Sequence, residues 1–190
     1  MWTSKRQYLK NNGFTLIELL LSIGISSILV VSLFSMLTFA INSSVLGETY
    51  DEILLNGRYG IEFIKEEIKK ADKIISVHNI SVIENNHRDN MGFVIMQENT
   101  TEMGNVEYRY IAYYLGDKSI NRVAYNKNDP SYPNKKDIPG YNIVCDNVIS
   151  IEDINIDFES GIIDLNIVVG NNNAYHRFRS TIAVRCPVDY

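Results

Sequence analysis

The strongest constraint on the fold is an uncharged segment near the N-terminus. From Leu19 to Gly47 the sequence contains no Asp, Glu, Lys or Arg, and Leu, Ile, Val and Phe dominate it up to Ile41. A run of about 18 or more apolar residues is long enough to cross the hydrocarbon core of a bilayer as a helix. The sequence therefore predicts a transmembrane helix over residues 14–41.

Charged residues before this segment predict its orientation. Lys5, Arg6 and Lys10 precede it without any acidic residue in the first thirteen positions, and basic flanks of this kind remain on the cytoplasmic side of a membrane. We therefore expect a single pass through the cytoplasmic membrane, with the C-terminal part of the chain outside. The alternative is an ordinary cleaved signal peptide, although no clear cleavage site follows the apolar run.

The residues around the start of the apolar run carry a family resemblance. Residues 13–25, GFTLIELLLSIGI, resemble the class III leader of type IV pilins and the related pseudopilins. The resemblance combines a short basic leader, Gly13 before the aromatic Phe14, Glu18 at a fixed spacing and the long apolar run. It implies that a prepilin peptidase removes residues 1–13 by cutting after Gly13, and that the new amino group of Phe14 is methylated. It also implies that the mature chain joins other pilins at an assembly platform.

Glu18 is the one charged residue in the predicted transmembrane helix, and two interpretations of it are open. A carboxylate in hydrocarbon is costly unless it is paired. In the first interpretation, Glu18 pairs with the positive amino group of Phe14 on a neighbouring subunit and fixes the axial register between subunits. In the second, Glu18 lies near the lipid interface and is stabilised by the dipole at the start of its own helix.

The pattern after the apolar run predicts an α+β exported part. Residues 42–72 continue with apolar residues at helical spacing and form an amphipathic extension of the helix. Residues 73–190 alternate in polarity and predict a globular, β-rich domain, in which an antiparallel sheet packs on the long N-terminal helix. Within the helix, Gly47, Gly57 and Gly60 are candidate bends. The apolar positions on the inner face of the extension are Ile53, Leu54, Tyr59, Ile61, Ile64 and Ile68.

A second resemblance narrows the expected role. Residues 56–74 and the strand-like segments from Val144 onward are similar to the corresponding parts of PilW-type minor pilins. The resemblance implies a non-catalytic minor type IV pilin that is incorporated into a pilus at the cell surface or primes its assembly. The alternative within the family is a minor pseudopilin of a type II secretion or competence system. The alternative from another class is a signal-anchored surface enzyme or ligand-binding module.

The sequence contains no catalytic, cofactor or metal motif. His78, His87 and His176 are far apart, without HExxH or Cys-His spacing. A GxSxG elbow and a glycine-rich phosphate loop are missing as well. We therefore expect a protein that is not an enzyme and has no cofactor.

The acidic residues Asp153, Asp157 and Glu159 predict a solvated strand face. Calcium binding is the alternative, but the residues lack the ligand spacing and glycine of an EF-hand loop.

Cys145 and Cys186 are the two cysteines, and both lie in the predicted exported domain. They form either a disulfide, which would close a loop of about 40 residues and add roughly 3 to 4 kcal/mol, or two unpaired thiols.

Nucleic-acid binding is the last alternative that the sequence raises. The net charge of -5 argues against a generally basic nucleic-acid protein. One loop region nevertheless combines basic and aromatic residues, a combination found in single-strand binders. A solvated loop is the more common explanation of this group, which consists of Tyr125, Lys127, Tyr132, Lys135, Lys136 and Tyr141.

Overall fold

The computed structural model describes residues 13–101, 104–152, 154–171 and 174–190. The chain divides into two compact units, one ending at Gly47 and the other comprising Glu48–Tyr190. In chain order, the described elements are α1 (Leu16–Lys69), β1 (Lys73–Ser76), a 3-10 turn (Val77–Asn79), α2 (Ser81–Asn86), β2 (Asn90–Thr100), β3 (Val106–Gly116), β4 (Ser119–Lys127), β5 (Gly140–Cys145), β6 (Val148–Ile151), β7 (Asn155–Asp157), β8 (Ile162–Gly170), β9 (Tyr175–Ala183) and β10 (Val188–Asp189).

In the first unit, residues 16–47 of α1 form helix with every residue exposed. The helix continues without interruption to Lys69. No turn or loop divides it at Gly47, Gly57 or Gly60, the three positions at which the sequence allowed bends.

In the second unit, residues 48–69 of α1 pack on the sheets. Ile53, Ile61, Ile64 and Ile68 are buried in the main core, as their helical spacing predicts. Tyr59 does not follow the prediction, because 61% of it is exposed. The α+β class predicted from the sequence is therefore confirmed, with one face of the helix covered by strands.

The two glycines of this helical segment lie where strands approach the helix closely. A Cβ atom built on Gly57 would overlap the ring of Phe178 on β9. One built on Gly60 would lie 2.8 Å from the Cβ atom of Cys145 on β5, which is closer than carbon atoms approach. These glycines allow close packing, a role that the sequence pattern alone did not separate from bending.

The strands form two sheets, whereas the sequence predicted one. The first has six strands in the order β10-β1-β2-β3-β4-β5. In the second, β6 and β7 pair with one edge of β8 and β9 pairs with the other. All these pairings are antiparallel except that of β1 with β10, which is parallel. The hairpins β3–β4 and β8–β9 were predicted from the turn-like sequences between them.

A partly buried ion pair connects the helix to the middle of the larger sheet. Glu67 on α1 accepts hydrogen bonds from the guanidinium of Arg122 on β4, at 2.9 to 3.1 Å, and from the hydroxyl of Tyr113 on β3. Neighbouring strands place the two donors side by side, since Tyr113 and Arg122 are cross-strand partners. Burial, together with the charge of Glu67, raises the pKa of Tyr113 far above its ordinary value.

The opposite face of the larger sheet has its own core. The 3-10 turn and α2 cover this face with Val77, Val82 and Ile83, which pack with Val94 and Val123 of the strands. His87 follows α2 and lies over the same sheet, with its ring stacked on Tyr114 at 4.2 Å between centroids.

Candidate functional site

The candidate processing site lies directly before helix α1. Gly13 is the first described residue, and a Cβ atom added to it would meet no other atom of the described residues within 4 Å. Phe14 is 85% exposed. The helix begins at Leu16, so the bond between Gly13 and Phe14 lies in non-helical chain that another protein can reach.

Thr15 and Glu18 form a capping box at the start of the helix. The backbone N–H and the hydroxyl of Thr15 both donate to Glu18 Oε2, at 2.9 and 2.8 Å. The backbone N–H of Glu18 in turn donates to Thr15 Oγ1 at 3.3 Å. This arrangement satisfies helix-start donors that have no partner within the helix.

The capping box gives Glu18 a local role in a single chain. Its carboxylate also lies at the positive end of the helix dipole, which stabilises an anion. Both hydrogen bonds from Thr15 reach the same carboxylate oxygen, and no described residue donates to Oε1. The sequence analysis did not single out Thr15, although the spacing T-x-x-E before an apolar run is a capping signal.

The apolar helix after this site has features that suit a nonpolar environment. Among the described residues, one helix, α1, is long and apolar enough to cross a membrane by length and composition. Four of its hydroxyl groups bond to its own backbone: Ser22, Ser27 and Ser32 donate to the carbonyl oxygens of Leu19, Gly24 and Leu29, and Thr38 donates to Phe34. Because these four donors are already paired, their side chains add little cost when the helix enters hydrocarbon.

Cys145 and Cys186 are free thiols in the structure rather than a disulfide. The Sγ atom of Cys145 lies 3.6 Å from the carbonyl oxygen of Asn56 on the helix, in the contact that Gly60 makes possible. Burial and the neighbouring Asp146 raise the pKa of Cys145 to about 12, and burial also raises that of Cys186. Cys145 is therefore a packing residue with little thiolate at neutral pH.

Two of the six basic and aromatic residues considered for nucleic-acid binding are buried. Tyr125 is 2% exposed. The Lys127 side chain is also buried, with its Nζ atom 2.7 Å from Ser131 Oγ and 3.4 Å from the carboxylate of Asp137. Tyr132 donates its hydroxyl proton to Asp189. Tyr132, Tyr141, Lys135 and Lys136 remain exposed, so two of the six residues, Tyr125 and Lys127, are unavailable to a nucleic acid.

Of the acidic residues considered for calcium, Asp157 is hydrogen-bonded locally and Glu159 is exposed. Asp157 accepts hydrogen bonds from the backbone N–H groups of Glu159 and Ser160 and from the Ser160 hydroxyl. The bonds from Ser160 lower the pKa of Asp157. Asp153 lies outside the described residues. Within the described ranges, no three His, Cys, Asp or Glu side chains cluster as metal ligands would.

The three histidines occupy unrelated positions. His78 lies 2.7 Å from the carboxylate of Glu84, and His176 packs between Tyr50 and Phe178. His87 is 8% exposed, and its Nε2 atom has no hydrogen-bond partner among the described residues.

Comparison with known proteins gives a match that includes the start of helix α1. Residues 9–34 match the family model described as the prokaryotic N-terminal methylation motif. A search of curated proteins gave no match to the chain, and neither did a search of solved structures. The motif includes Gly13, Phe14, the capping box and the first part of the apolar helix, and it indicates a type IV pilin-like or pseudopilin protein.

Proposed function

We propose that this protein is a minor type IV pilin of the PilW type. It is held in the cytoplasmic membrane with its C-terminal domain outside, processed by a prepilin peptidase, and assembled with other pilins. The observation that supports this most strongly is the methylation motif at residues 9–34. The motif leads directly into a helix whose residues from Leu16 to Gly47 are all exposed, as expected of a segment covered by lipid or by other subunits.

Processing would create the charge that Glu18 can bind. Cutting after Gly13 leaves a positive amino group on Phe14, which methylation does not remove. Once the helix enters the filament, this group lies among apolar side chains, where a lone charge is heavily penalised. The Glu18 carboxylate of a neighbouring subunit is then the available partner, and opposite charges attract more strongly there than in water.

The capping box leaves Glu18 able to pair with the Phe14 amino group of a neighbouring subunit. Thr15 holds the Glu18 carboxylate at the first turn of the helix through two hydrogen bonds to Oε2. A carboxylate accepts several hydrogen bonds, so Oε1 can receive the amino group of a neighbour while Oε2 keeps its bonds to Thr15. In this proposal Glu18 caps its own helix in the membrane and sets the axial register in the filament.

Substitutions of Glu18 separate these two roles. Gln keeps a carbonyl oxygen that can accept from Thr15 but removes the charge, whereas Val removes both. We expect Glu18→Gln and Glu18→Val to be processed normally and to be recovered poorly in sheared filaments. Glu48→Val, which removes an exposed carboxylate farther along the same helix, is the matched control. Normal recovery of Glu18→Gln would show that capping suffices and that Glu18 does not set the register.

The minor role is tested by counting filaments. A subunit that primes assembly lowers the barrier to starting a filament and contributes little to its length. Deletion should therefore reduce the number of pili seen by electron microscopy while those that remain keep their length. Normal pili together with lost protein secretion or DNA uptake would favour the pseudopilin alternative. A processed chain that is never found in a filament would favour a surface-anchored enzyme or binding module.

A further inference from the structure

Strand β5 leaves one edge of the larger sheet open. It is the last strand in the order β10-β1-β2-β3-β4-β5, and among the described residues only β4 pairs with it. Its first four residues, from Gly140 to Ile143, are all exposed. In an antiparallel sheet, alternate residues of such a strand direct their N–H and C=O groups outward. These groups form a ready template for one more strand.

The open edge lacks the protection that edge strands usually carry. Charged side chains on an edge discourage pairing with other chains. Strand β9, at an edge of the smaller sheet, has Arg177 and Arg179, both exposed. Strand β5 has the sequence GYNIVC and no charge. The two edges thus differ in charge, and charged side chains are what discourage the addition of another strand.

Large apolar side chains lie exposed along this edge. Tyr141 is 55% exposed and Ile143 is 62% exposed, and as residues two apart they share one face of the strand. Ile138, just before the strand, is 91% exposed. Tyr141 is paired with Val123, which belongs to the core beneath α2. The exposed pair therefore extends that apolar face to the border of the sheet.

An incompletely satisfied side chain borders the same face. The ring of His87 lies edge-on to Tyr141 at 6.1 Å, and its buried Nε2 atom has no hydrogen-bond partner among the described residues. Buried polar atoms in folded proteins are normally paired, so Nε2 of His87 lacks the partner that such an atom usually has.

We propose that the β5 edge receives an extended strand from a different subunit of the same assembly, with apolar side chains at alternate positions against Tyr141 and Ile143. This inference rests on the proposed pilin function. Strand addition supplies main-chain hydrogen bonds for affinity and side-chain contacts for specificity. Lys135 and Lys136 lie in the loop that leads into β5, exposed and without an ion pair among the described residues. They favour a partner segment with an acidic residue at that end.

A second copy of this chain fits the edge poorly. Two β5 strands paired antiparallel would be related by a two-fold axis perpendicular to the sheet. That axis reverses the direction of the helical segment 48–69, which packs on the sheet. Subunits inserted into one membrane with the same polarity cannot adopt this arrangement. Strand β9 of a second copy would add the charges of Arg177 and Arg179 to an edge that Lys135 and Lys136 already flank with positive charge.

The test places charges on the proposed contact in the full-length chain. Tyr141→Lys combined with Ile143→Lys would bury two unpaired ammonium groups against the incoming strand, so recovery in sheared filaments should fall roughly tenfold or more. The matched control combines Ile149→Lys with Tyr175→Lys, at positions 50% and 67% exposed on strands of the other sheet. Recovery of the control should equal that of the wild type.

Each outcome is decisive. Equal recovery of the β5 variant and the wild type would overturn the proposal, and so would equal loss of the β5 and control variants. Because the β5 substitutions do not touch the processing site, the mass of the mature chain reports on the proposed function separately. An unprocessed wild-type chain would contradict that function rather than the strand contact.

Amide hydrogen exchange tests the same edge without substitutions. The amides of residues 140–143 that point away from β4 should exchange at least about tenfold more slowly in filaments than in the detergent-solubilised chain, because strand pairing protects them. The amides of β9 serve as the internal reference. Unchanged exchange at β5, or β5-dependent dimers of the purified chain, would overturn the assignment to a different subunit.

Discussion

The two halves of helix α1 belong to one continuous element but bury their apolar side chains in different ways. From Leu16 to Gly47 no residue is buried. From Glu48 to Lys69, four isoleucines and two glycines lie in the core against the sheets. Both halves are helical, so the difference lies in what covers the apolar face.

This contrast shows where the chain depends on other molecules. Residues 48–69 find their partners within the same chain, so their packing is part of the stability of the exported domain. Residues 16–47 have no such partners and require lipid or other subunits to remove their apolar surface from water. Substitutions in the first half should therefore affect processing and assembly, and those in the second half should affect folding.

The largest expected effect is on processing. Gly13→Val places a branched side chain beside the bond to be cut, in a segment that the peptidase must bind closely. We expect no mature chain by mass spectrometry, while the free energy of unfolding of the exported domain stays unchanged. A mature chain that begins at Phe14 in this variant would show that a side chain at position 13 is tolerated.

The next largest effect is on the free energy of unfolding, through the core that the second half of α1 helps to form. Ile64 is fully buried, so Ile64→Ala should lower the free energy of unfolding by roughly 3 kcal/mol through lost burial and a cavity. Leu33→Ala is the matched control, since Leu33 is 65% exposed in the first half. Denaturant unfolding in detergent micelles measures both variants. A similar loss in Leu33→Ala would contradict the separation of the two halves.

Substitutions of two glycines, one in each half, give a second matched pair with a smaller effect on the free energy of unfolding. Gly60→Val forces apart the helix and β5, where the new Cβ atom would meet that of Cys145, and should cost roughly 2 kcal/mol. Gly47→Val adds a side chain where no atom lies within 4 Å and should leave the unfolding free energy unchanged. Thermal unfolding measures both variants. Equal unfolding temperatures for Gly60→Val and Gly47→Val would contradict the packing role of Gly60.

The smallest expected effect is on how the stability of the second unit depends on pH. Burial lowers the pKa of His87 below its ordinary value of 6.5. The unfolded chain therefore binds a proton more readily than the folded one, and stability should decline as the pH falls through about 6.5. His87→Phe should reduce this decline. Unfolding curves between pH 5 and 8 that coincide for wild type and His87→Phe would contradict this role.

The sequence predicted elements with strong local patterns. The uncharged run and the spacing of Ile53, Ile61, Ile64 and Ile68 are periodic signals, and they predicted the helix and its buried face correctly. The hairpins β3–β4 and β8–β9 were predicted because strand partners adjacent in sequence are joined by recognisable turns. Pattern is informative when the interacting residues are close along the chain.

The sequence failed where contacts join distant residues. The parallel pairing of β1 with β10 links short segments at opposite ends of the exported domain, and two-residue strands have no visible alternation. The ion pair of Glu67 with Arg122 depends on the relative placement of helix and sheet. Gly57 looked like a candidate bend because nothing local shows that Phe178 packs against it.

The candidate site was predicted unevenly for the same reason. Gly13, Phe14 and Glu18 were predicted from their linear spacing, and they lie in the segment 9–34 that the family model matches. Thr15 was overlooked, although its partner Glu18 is only three residues away. The surface role considered for Tyr125 and Lys127 was wrong, because Tyr125 is buried in the core beneath α2 and the buried Lys127 donates to Ser131 of the following loop.

The most direct test of this account is the mass of the N-terminal peptide of the mature protein in its own cell. The account predicts a chain that begins with N-methylated Phe14 and retains the whole helix. An intact N-terminus beginning at Met1, or a chain cut after the apolar run, would contradict processing at the methylation motif and with it the proposed pilin function.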